Sequence, residues 1–378
     1  MQVLKELIIE EINKKGKLTF AEFMQMALYH PKYGYYNSDT ERVGRFGDYY
    51  TSPTVHRIFG ELIAKQLEEM WRILGENAFT VVEMGANGGW LCHDIIRCIK
   101  EEYPRFYTNL HYIIVETNPY ARKRQQLLLD SVDLRNGMVT WHTYKQDGFS
   151  FGKVQGCFLS NEFVDALPVH RLKVKNKILK ETYVDYNGAN FCETDDEVSE
   201  PGLKDYLGTN QIYMREGQAY EVNLGAVEWL RHVSEKLHKG FVVTIDYGDT
   251  EDRLLHGNTH EGSLRCYFRH TVNRNYYERL GEQDITAHVD FTNLINAGRF
   301  VQLEVAGFIK QSHFLIALGI LGRLNNTNND TVTTLKLKNL LHSEVMGEVF
   351  KVLIQYKNIE NPQLTSLRPL QSITMSNS

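Results

Sequence analysis

The stretch Thr80–Leu91, T-V-V-E-M-G-A-N-G-G-W-L, constrains the fold more than any other part of the chain. An apolar run reaches Glu83, a loop follows with Gly85, Gly88 and Gly89, and a helical pattern begins. This is how a buried strand turning sharply into a helix reads, and its glycines admit a ligand where a Cβ would collide. A tight strand-to-helix turn without a ligand gives the same pattern. A second apolar run, His111–Val115, ends at Glu116, where a strand-end carboxylate can accept hydrogen bonds from a ribose diol. Two such carboxylates beside a glycine loop point to an adenosine-containing cofactor.

The loop spacing narrows the choice. A dinucleotide site follows G-x-G-x-x-G, with a helix N-terminus facing a pyrophosphate. Here the pattern is E-x-G-x-N-G-G, and Glu83 aims a negative charge at the pocket. A carboxylate repels a pyrophosphate and attracts a cationic amino-acid group, so S-adenosylmethionine, with its ammonium and sulfonium, fits better.

Around this loop the chain alternates strand and helix. A helix opened by Ser52 and Pro53 carries Val55, Ile58, Phe59, Leu62, Ile63, Leu67, Met70, Trp71 and Leu74 at 3-4 spacing. Helices then read at Leu91–Ile99 and Ala121–Leu129, and strands at Met138–His142, Gly156–Ser160 and Phe241–Ile245. Such alternation predicts a doubly wound parallel sheet, with ligands at the carboxyl ends of its strands. Further strands are expected at Val301–Val305 and Phe314–Ile320, a linker at Asn325–Asp330, and a C-terminal helix around Leu340–Ile354 before a polar tail.

Before the sheet lie two amphipathic helices, the second opened by a Thr19/Glu22 capping box. The Tyr- and Gly-rich stretch Pro31–Pro53 reads either as a loop closing over a pocket or as one packed by its own tyrosines. After the fourth strand, Asn161, Glu162 and Asp165 stand at the pocket edge, to bind a cation or take a proton, or else to cap backbone N–H groups. Alternation at Leu172–Ile178 and Thr182–Tyr186 marks a hairpin in an insertion, followed by an acidic loop, E-T-D-D-E-V-S-E, that is either a solvated face or a lure for a basic protein. Another polar strand end, Asp246-Tyr247-Gly248, faces the same rim. His288 and Asp290 share a strand face, as metal ligands or as satisfied polar groups.

The 378 residues suffice for one large domain with insertions or for two domains. A net charge of −5 with dispersed Lys and Arg gives no support for a nucleic-acid partner. Five cysteines without C-x-x-C pairs argue against a zinc site or a secreted disulfide framework. The N-terminus is acidic and short in apolar run, unlike a signal or transit peptide, and no segment approaches the roughly 20 apolar residues of a membrane span. These features set the expectation of a cytoplasmic protein. They leave the oligomeric state open.

Several motifs in order carry a resemblance covering almost the whole chain: G-D-Y-Y-T-S-P at Gly47–Pro53, F-G-E-L-I at Phe59–Ile63, the loop from Glu83, N-E-F-V-D-A-L-P-V-H at Asn161–His170, D-Y-G at Asp246–Gly248, D-I-T-A-H-V-D-F at Asp284–Phe291, and M-G-E-V-F-K-V-L at Met346–Leu353. The chain resembles the MidA-like family of class I S-adenosylmethionine-dependent methyltransferases, whose mitochondrial members are complex I assembly factors that methylate an arginine in a complex I subunit. The resemblance implies an α/β, Rossmann-like sheet, mostly parallel with one antiparallel strand and helices on both faces. It implies a helical and lid region at 1–78, a core of 79–170 and 224–322, a substrate-side insertion at 171–223, and a C-terminal region at 323–378.

Within that reading Glu83 and Gly85 meet the amino-acid end of the cofactor, Gly89 lets the helix approach, and Glu116 takes the ribose hydroxyls. Asn87, Asn161, Asp48 and Ser52 complete the expected cofactor set. Glu162 and Asp165 are the expected grip on a substrate guanidinium. The family pattern E-x-G-x-G-x-G has glycine where this chain has Asn87. Asparagine tolerates a left-handed backbone but adds a side chain. Three readings follow: a protein arginine methyltransferase acting on a protein such as a respiratory complex subunit, a cofactor-binding assembly protein with little catalysis, and a nicotinamide-dependent oxidoreductase, which the loop spacing and Glu83 disfavour.

Overall fold

The apolar runs pair into one eight-stranded sheet in a computed structural model that describes residues 2–40, 42–44, 47–257, 262–325, 331–341 and 349–370. Its strands are β1 (Phe79–Met84), β2 (Leu110–Val115), β3 (Val139–His142), β4 (Val154–Asn161), β5 (Leu237–Asp249), β6 (Glu304–Lys310) and β7 (Phe350–Lys357). Their spatial order is β3-β2-β1-β4-β5-β7-β6, and the two-residue strand Val289–Asp290 adds in parallel beside the end of β5. β1 to β5 run parallel, whereas β7 is antiparallel to both β5 and β6. The chain winds outward through β2 and β3, then returns to the other side of β1. The reversal leaves a crevice at the carboxyl ends of β1 and β4.

Both faces of β1 are covered, which is why it reads as an unbroken apolar run. Val81 packs with the Ile58–Ile73 and Trp90–Glu102 helices, and Val82 and Met84 with the Leu224–Lys236 and Phe291–Phe300 helices. Burying each large apolar side chain stabilises the fold by about 1.5–3 kcal/mol. The glycine of F-G-E-L-I allows one close approach: a Cβ on Gly60 would lie 2.6 Å from Cβ of Asp94 on the neighbouring helix.

The N-terminal helices Gln2–Lys15 and Phe20–Tyr29 pack on the insertion. Thr19 Oγ1 accepts from Glu22 N (3.1 Å) and Glu22 Oε2 from Thr19 N (2.9 Å), the reciprocal cap the sequence indicates. In the insertion, His170–Lys175 and Ile178–Tyr186 form the expected hairpin, extended by Phe191–Asp196, Ala219–Val222 and Leu18–Thr19 into a five-stranded sheet.

Several expectations are corrected. The helix expected from Pro53 is broken: Thr51, not Ser52, caps Ser52–Val55, and His56, extended at φ −163°, separates it from Ile58–Ile73. The acidic segment is not a free loop, because Phe191–Asp196 is a strand whose Glu193, Asp195 and Asp196 pair with Arg171, Lys175 and Lys17. Val301 follows a helix, and the strand begins at Glu304. Phe314–Ile320 is not a strand: Gln311–Leu318 is a helix, since a short apolar run does not distinguish the two. In place of a helix through Ile354, Thr331–Leu341 is helical and Phe350–Lys357 is the antiparallel strand β7. Met346–Glu348 of the last motif and Asn326–Asp330 of the expected linker lie outside the described residues.

Candidate functional site

A cavity of about 870 Å³ opens at the carboxyl ends of β1, β2 and β4. Glu83, Gly85 and Asn87 line it from the loop after β1, Glu116 and Asn118 from the end of β2, and Asn161 and Glu162 from the end of β4. Tyr29, Tyr36 and Tyr49 close it from the N-terminal region, so the aromatic stretch covers the pocket.

Glu83 is buried at the tip of β1, and its Oε2 accepts the Tyr112 hydroxyl at 2.7 Å. Burial pushes its carboxyl up to about 7, against the pull of that hydrogen bond. Gly85 (φ +64°) keeps the wall flat where a Cβ would press on the Phe163 ring at 3.3 Å. Asn87 has φ +48°, the left-handed conformation that glycine or asparagine adopts with least strain. Gly89 (φ +83°) starts the Trp90–Glu102 helix, and a Cβ there would meet Gln125 at 3.0 Å.

Gln125 is a connection that the motif-based reading missed. Fully buried, it donates to the Asn87 carbonyl (2.7 Å) and Glu116 Oε2 (3.4 Å), and accepts from Trp141 Nε1 (2.9 Å). One side chain therefore ties the glycine loop to the second acidic strand end. A glutamine on the apolar stripe of Ala121 and Leu129 is the signal that would have found it. Glu116 also accepts from Asn118 N (2.9 Å), and burial raises its carboxyl above the usual carboxylate range.

Across the cavity, Glu162 follows β4 with φ +52°, an uncommon backbone for glutamate. Its Oε1 accepts from Asn161 Nδ2 (3.0 Å) and Ser52 N (3.2 Å). Asp246, near the carboxyl end of β5, holds the turn: its Oδ2 accepts from Phe163 N (3.2 Å), Val164 N (2.9 Å) and Asp165 N (3.3 Å). Burial and neighbouring acids push Glu162 up to about 8 and Asp246 to about 7, and burial beside Asp246 and Asp284 raises Asp165 as well.

Asp165, Asp48, Ser52 and Gly89 are absent from the cavity wall, whereas Glu83, Gly85, Asn87, Glu116, Asn161 and Glu162 line it together. Asp165 is buried behind the wall. Asp48 accepts from the Tyr35 hydroxyl (2.9 Å) and Arg269 N (2.8 Å), which anchors the covering segment. Ser52 supplies its N–H to Glu162 and its hydroxyl to Gln311 (3.2 Å). Asp290 caps the Phe291–Phe300 helix through Asn293 N (3.1 Å) and accepts the hydroxyls of Tyr206 (3.1 Å) and Tyr220 (2.8 Å), so its oxygens are spent on polar contacts. Among the described residues no group of three or more His, Cys, Asp or Glu is arranged to hold a metal ion, and no helix is long and apolar enough to cross a membrane.

The loop chemistry fits S-adenosylmethionine: two carboxylates at adjacent strand ends, a glycine wall, and a cavity large enough for donor and acceptor together. A family profile of S-adenosyl-L-methionine-dependent methyltransferases matches residues 62–309. The human mitochondrial protein arginine methyltransferase NDUFAF7 is 28% identical, covering 91% of this chain and 81% of the relative. The rat protein of the same name is 27% identical over 84% of this chain and 74% of its own. A crystal structure from Burkholderia thailandensis, bound to S-adenosyl-homocysteine, superposes with a TM-score of 0.85 at 25% identity, covering 97% of this chain and 94% of that one. The expected cytoplasmic location is corrected, because these curated relatives are named as mitochondrial. Free thiols report a reducing environment, not the compartment that provides it.

Proposed function

The chain belongs to the family of S-adenosyl-L-methionine-dependent methyltransferases, and on that premise we propose that its acceptor is an arginine side chain of a protein. The observation that carries this reading is the meeting of Glu83, Glu116 and Glu162 on one cavity, from three different strand ends. Two of these carboxylates suit the donor, and the third, Glu162, lines the same cavity from just past β4.

When bound, S-adenosylmethionine supplies an electrophilic methyl group. Glu83, with Gly85, would hold the ammonium of its amino-acid end, and Glu116 the ribose hydroxyls. Asn87 and Asn161 line the space between. Glu162, fixed by Ser52 N and Asn161 Nδ2, would orient a guanidinium nitrogen for in-line attack through charge-assisted hydrogen bonds. Asp48 and Ser52 take a supporting part, anchoring the cover and Glu162. Asp165 serves from behind the wall rather than as a direct contact. The insertion at 171–223 and the helical region at 1–78 form the substrate side.

The relatives' names support a protein arginine acceptor, and the family resemblance makes a respiratory complex subunit the first candidate. Labelled methyl transfer into a lysate lacking this protein, followed by mass spectrometry of the labelled band, tests the reading. Methylarginine in one protein is the expected result; label on lysine or on a small molecule would sink the arginine acceptor. Asn87 gives little support to the non-catalytic alternative, since its left-handed backbone leaves the loop geometry intact.

A further inference from the structure

The wall of the cavity beside Glu162 is made of tyrosines backed by acids. Tyr29, Tyr36 and Tyr49 line the cavity, with the rings of Tyr29 and Tyr36 5.3 Å apart and inclined at 30°. The Tyr29 hydroxyl donates to the Ala166 carbonyl at 3.0 Å, and the Tyr36 hydroxyl to Asp284 Oδ1 at 2.8 Å. Asp284 is 2% exposed and also accepts from Ile285 N at 2.9 Å. Asp165 is 5% exposed, and its Oδ1 has no hydrogen-bond donor.

Carboxylates are rarely buried together without a cation, because each loses its hydration and repels the next. Here Asp165, Asp246 and Asp284 gather behind the wall that Glu162 lines, and the negative charges of Asp284 and Asp165 are felt at the hydroxyls of Tyr29, Tyr36 and Tyr49. A small metal ion needs converging ligands that the described residues do not offer. A planar, weakly hydrated cation needs less: an aromatic face and one carboxylate within reach.

Resting on the arginine reading above, we propose that Tyr29, Tyr36, Tyr49 and Glu162 form a cage for the acceptor guanidinium, and that Asp284 is a positioning residue that fixes Tyr36 and makes the cage selective for a cation. Donation of the Tyr36 hydroxyl to Asp284 locks the ring and increases the electron density that its face presents. Glu162 makes the direct ion pair; Asp284 acts through the tyrosine.

The test is calorimetry on the full chain saturated with S-adenosylhomocysteine, with Nα-acetyl-arginine amide as probe and its uncharged citrulline analogue as control. The arginine probe is expected to bind and the citrulline probe to bind at least tenfold more weakly. Asp284→Asn is expected to weaken arginine binding about tenfold with S-adenosylhomocysteine affinity unchanged, which also shows that the variant folds. Asp284→Glu should restore part of the loss, and Tyr36→Phe should reproduce it. Equal arginine affinity in wild type and Asp284→Asn overturns the cage while leaving the arginine acceptor standing. Equal binding of arginine and citrulline by wild type overturns the cationic acceptor and the cage together, with the methyltransferase assignment untouched.

Discussion

The Tyr112 hydroxyl, one strand over, donates to Glu83 Oε2 at 2.7 Å and fixes the carboxylate at the cavity edge. The bond favours ionisation, but burial outweighs it and leaves the carboxyl at about 7 in the ligand-free protein. Its folded value lies above the unfolded one, so its contribution to stability is full below about 4.5 and is lost as pH rises through about 7. Cofactor binding runs the opposite way, because an ammonium needs the ionised form. The Kd for S-adenosylhomocysteine should therefore rise about tenfold for each pH unit below 7 and flatten above it. Glu83→Gln should weaken binding and remove most of this slope. A variant that keeps the full slope would show that another group sets it.

Asn87 occupies a family glycine position at φ +48°. Asn87→Gly should leave cofactor affinity within about twofold and change stability by only about 0.5 kcal/mol, since both residues tolerate this backbone. Asn87→Val should cost about 2 kcal/mol, because a β-branched residue is strained there. Denaturant melts of the two variants provide the comparison, and equal stabilities would contradict the backbone argument.

What could be read from the chain follows the range of the interactions involved. β1, β2 and β4 were legible because burial on both faces leaves a continuous apolar run, and Glu83, Glu116 and Glu162 because a polar residue ending such a run stands out. β7 was not, because F-K-V-L-I-Q-Y-K keeps its place by pairing with β5 from more than a hundred residues away and with β6 from about forty to fifty, and local spacing does not record partners. The Tyr36–Asp284 bond spans 248 residues and had no local signature. Asp165 shows the converse: its place after β4 was foreseen, but the turn held by Asp246 directs it away from the cavity.

That turn gives a sharp stability test. Asp246 Oδ2 accepts three consecutive backbone N–H groups, so Asp246→Ala strands buried donors and should cost about 3 kcal/mol. Asp246→Asn keeps an oxygen acceptor for the turn and removes one of two adjacent buried charges, but it sets an NH2 against Tyr247 N, which Oδ1 accepts at 2.9 Å, so it should cost about 1–2 kcal/mol. Equal losses in urea unfolding would mean that the charge, not the hydrogen-bonded turn, is what Asp246 provides.

Asn118 joins the covering segment to the loop that carries Glu116. Its Nδ2 donates to the carbonyls of Tyr36 (2.9 Å) and Ser38 (3.0 Å), while its Oδ1 caps the Pro119–Leu129 helix through Tyr120 N (2.9 Å). Asn118→Asp separates these roles, because aspartate caps as well as asparagine but turns an anion toward two carbonyl oxygens. Loss of two neutral hydrogen bonds should speed S-adenosylhomocysteine release about tenfold and cost about 1 kcal/mol of stability, whereas Asn118→Ala should lose the cap as well and cost about 2 kcal/mol. Stopped-flow release measured beside thermal melts separates the two variants. If the aspartate variant melts like the wild type and releases ligand at the wild-type rate, Asn118 supports the helix and does not fasten the cover.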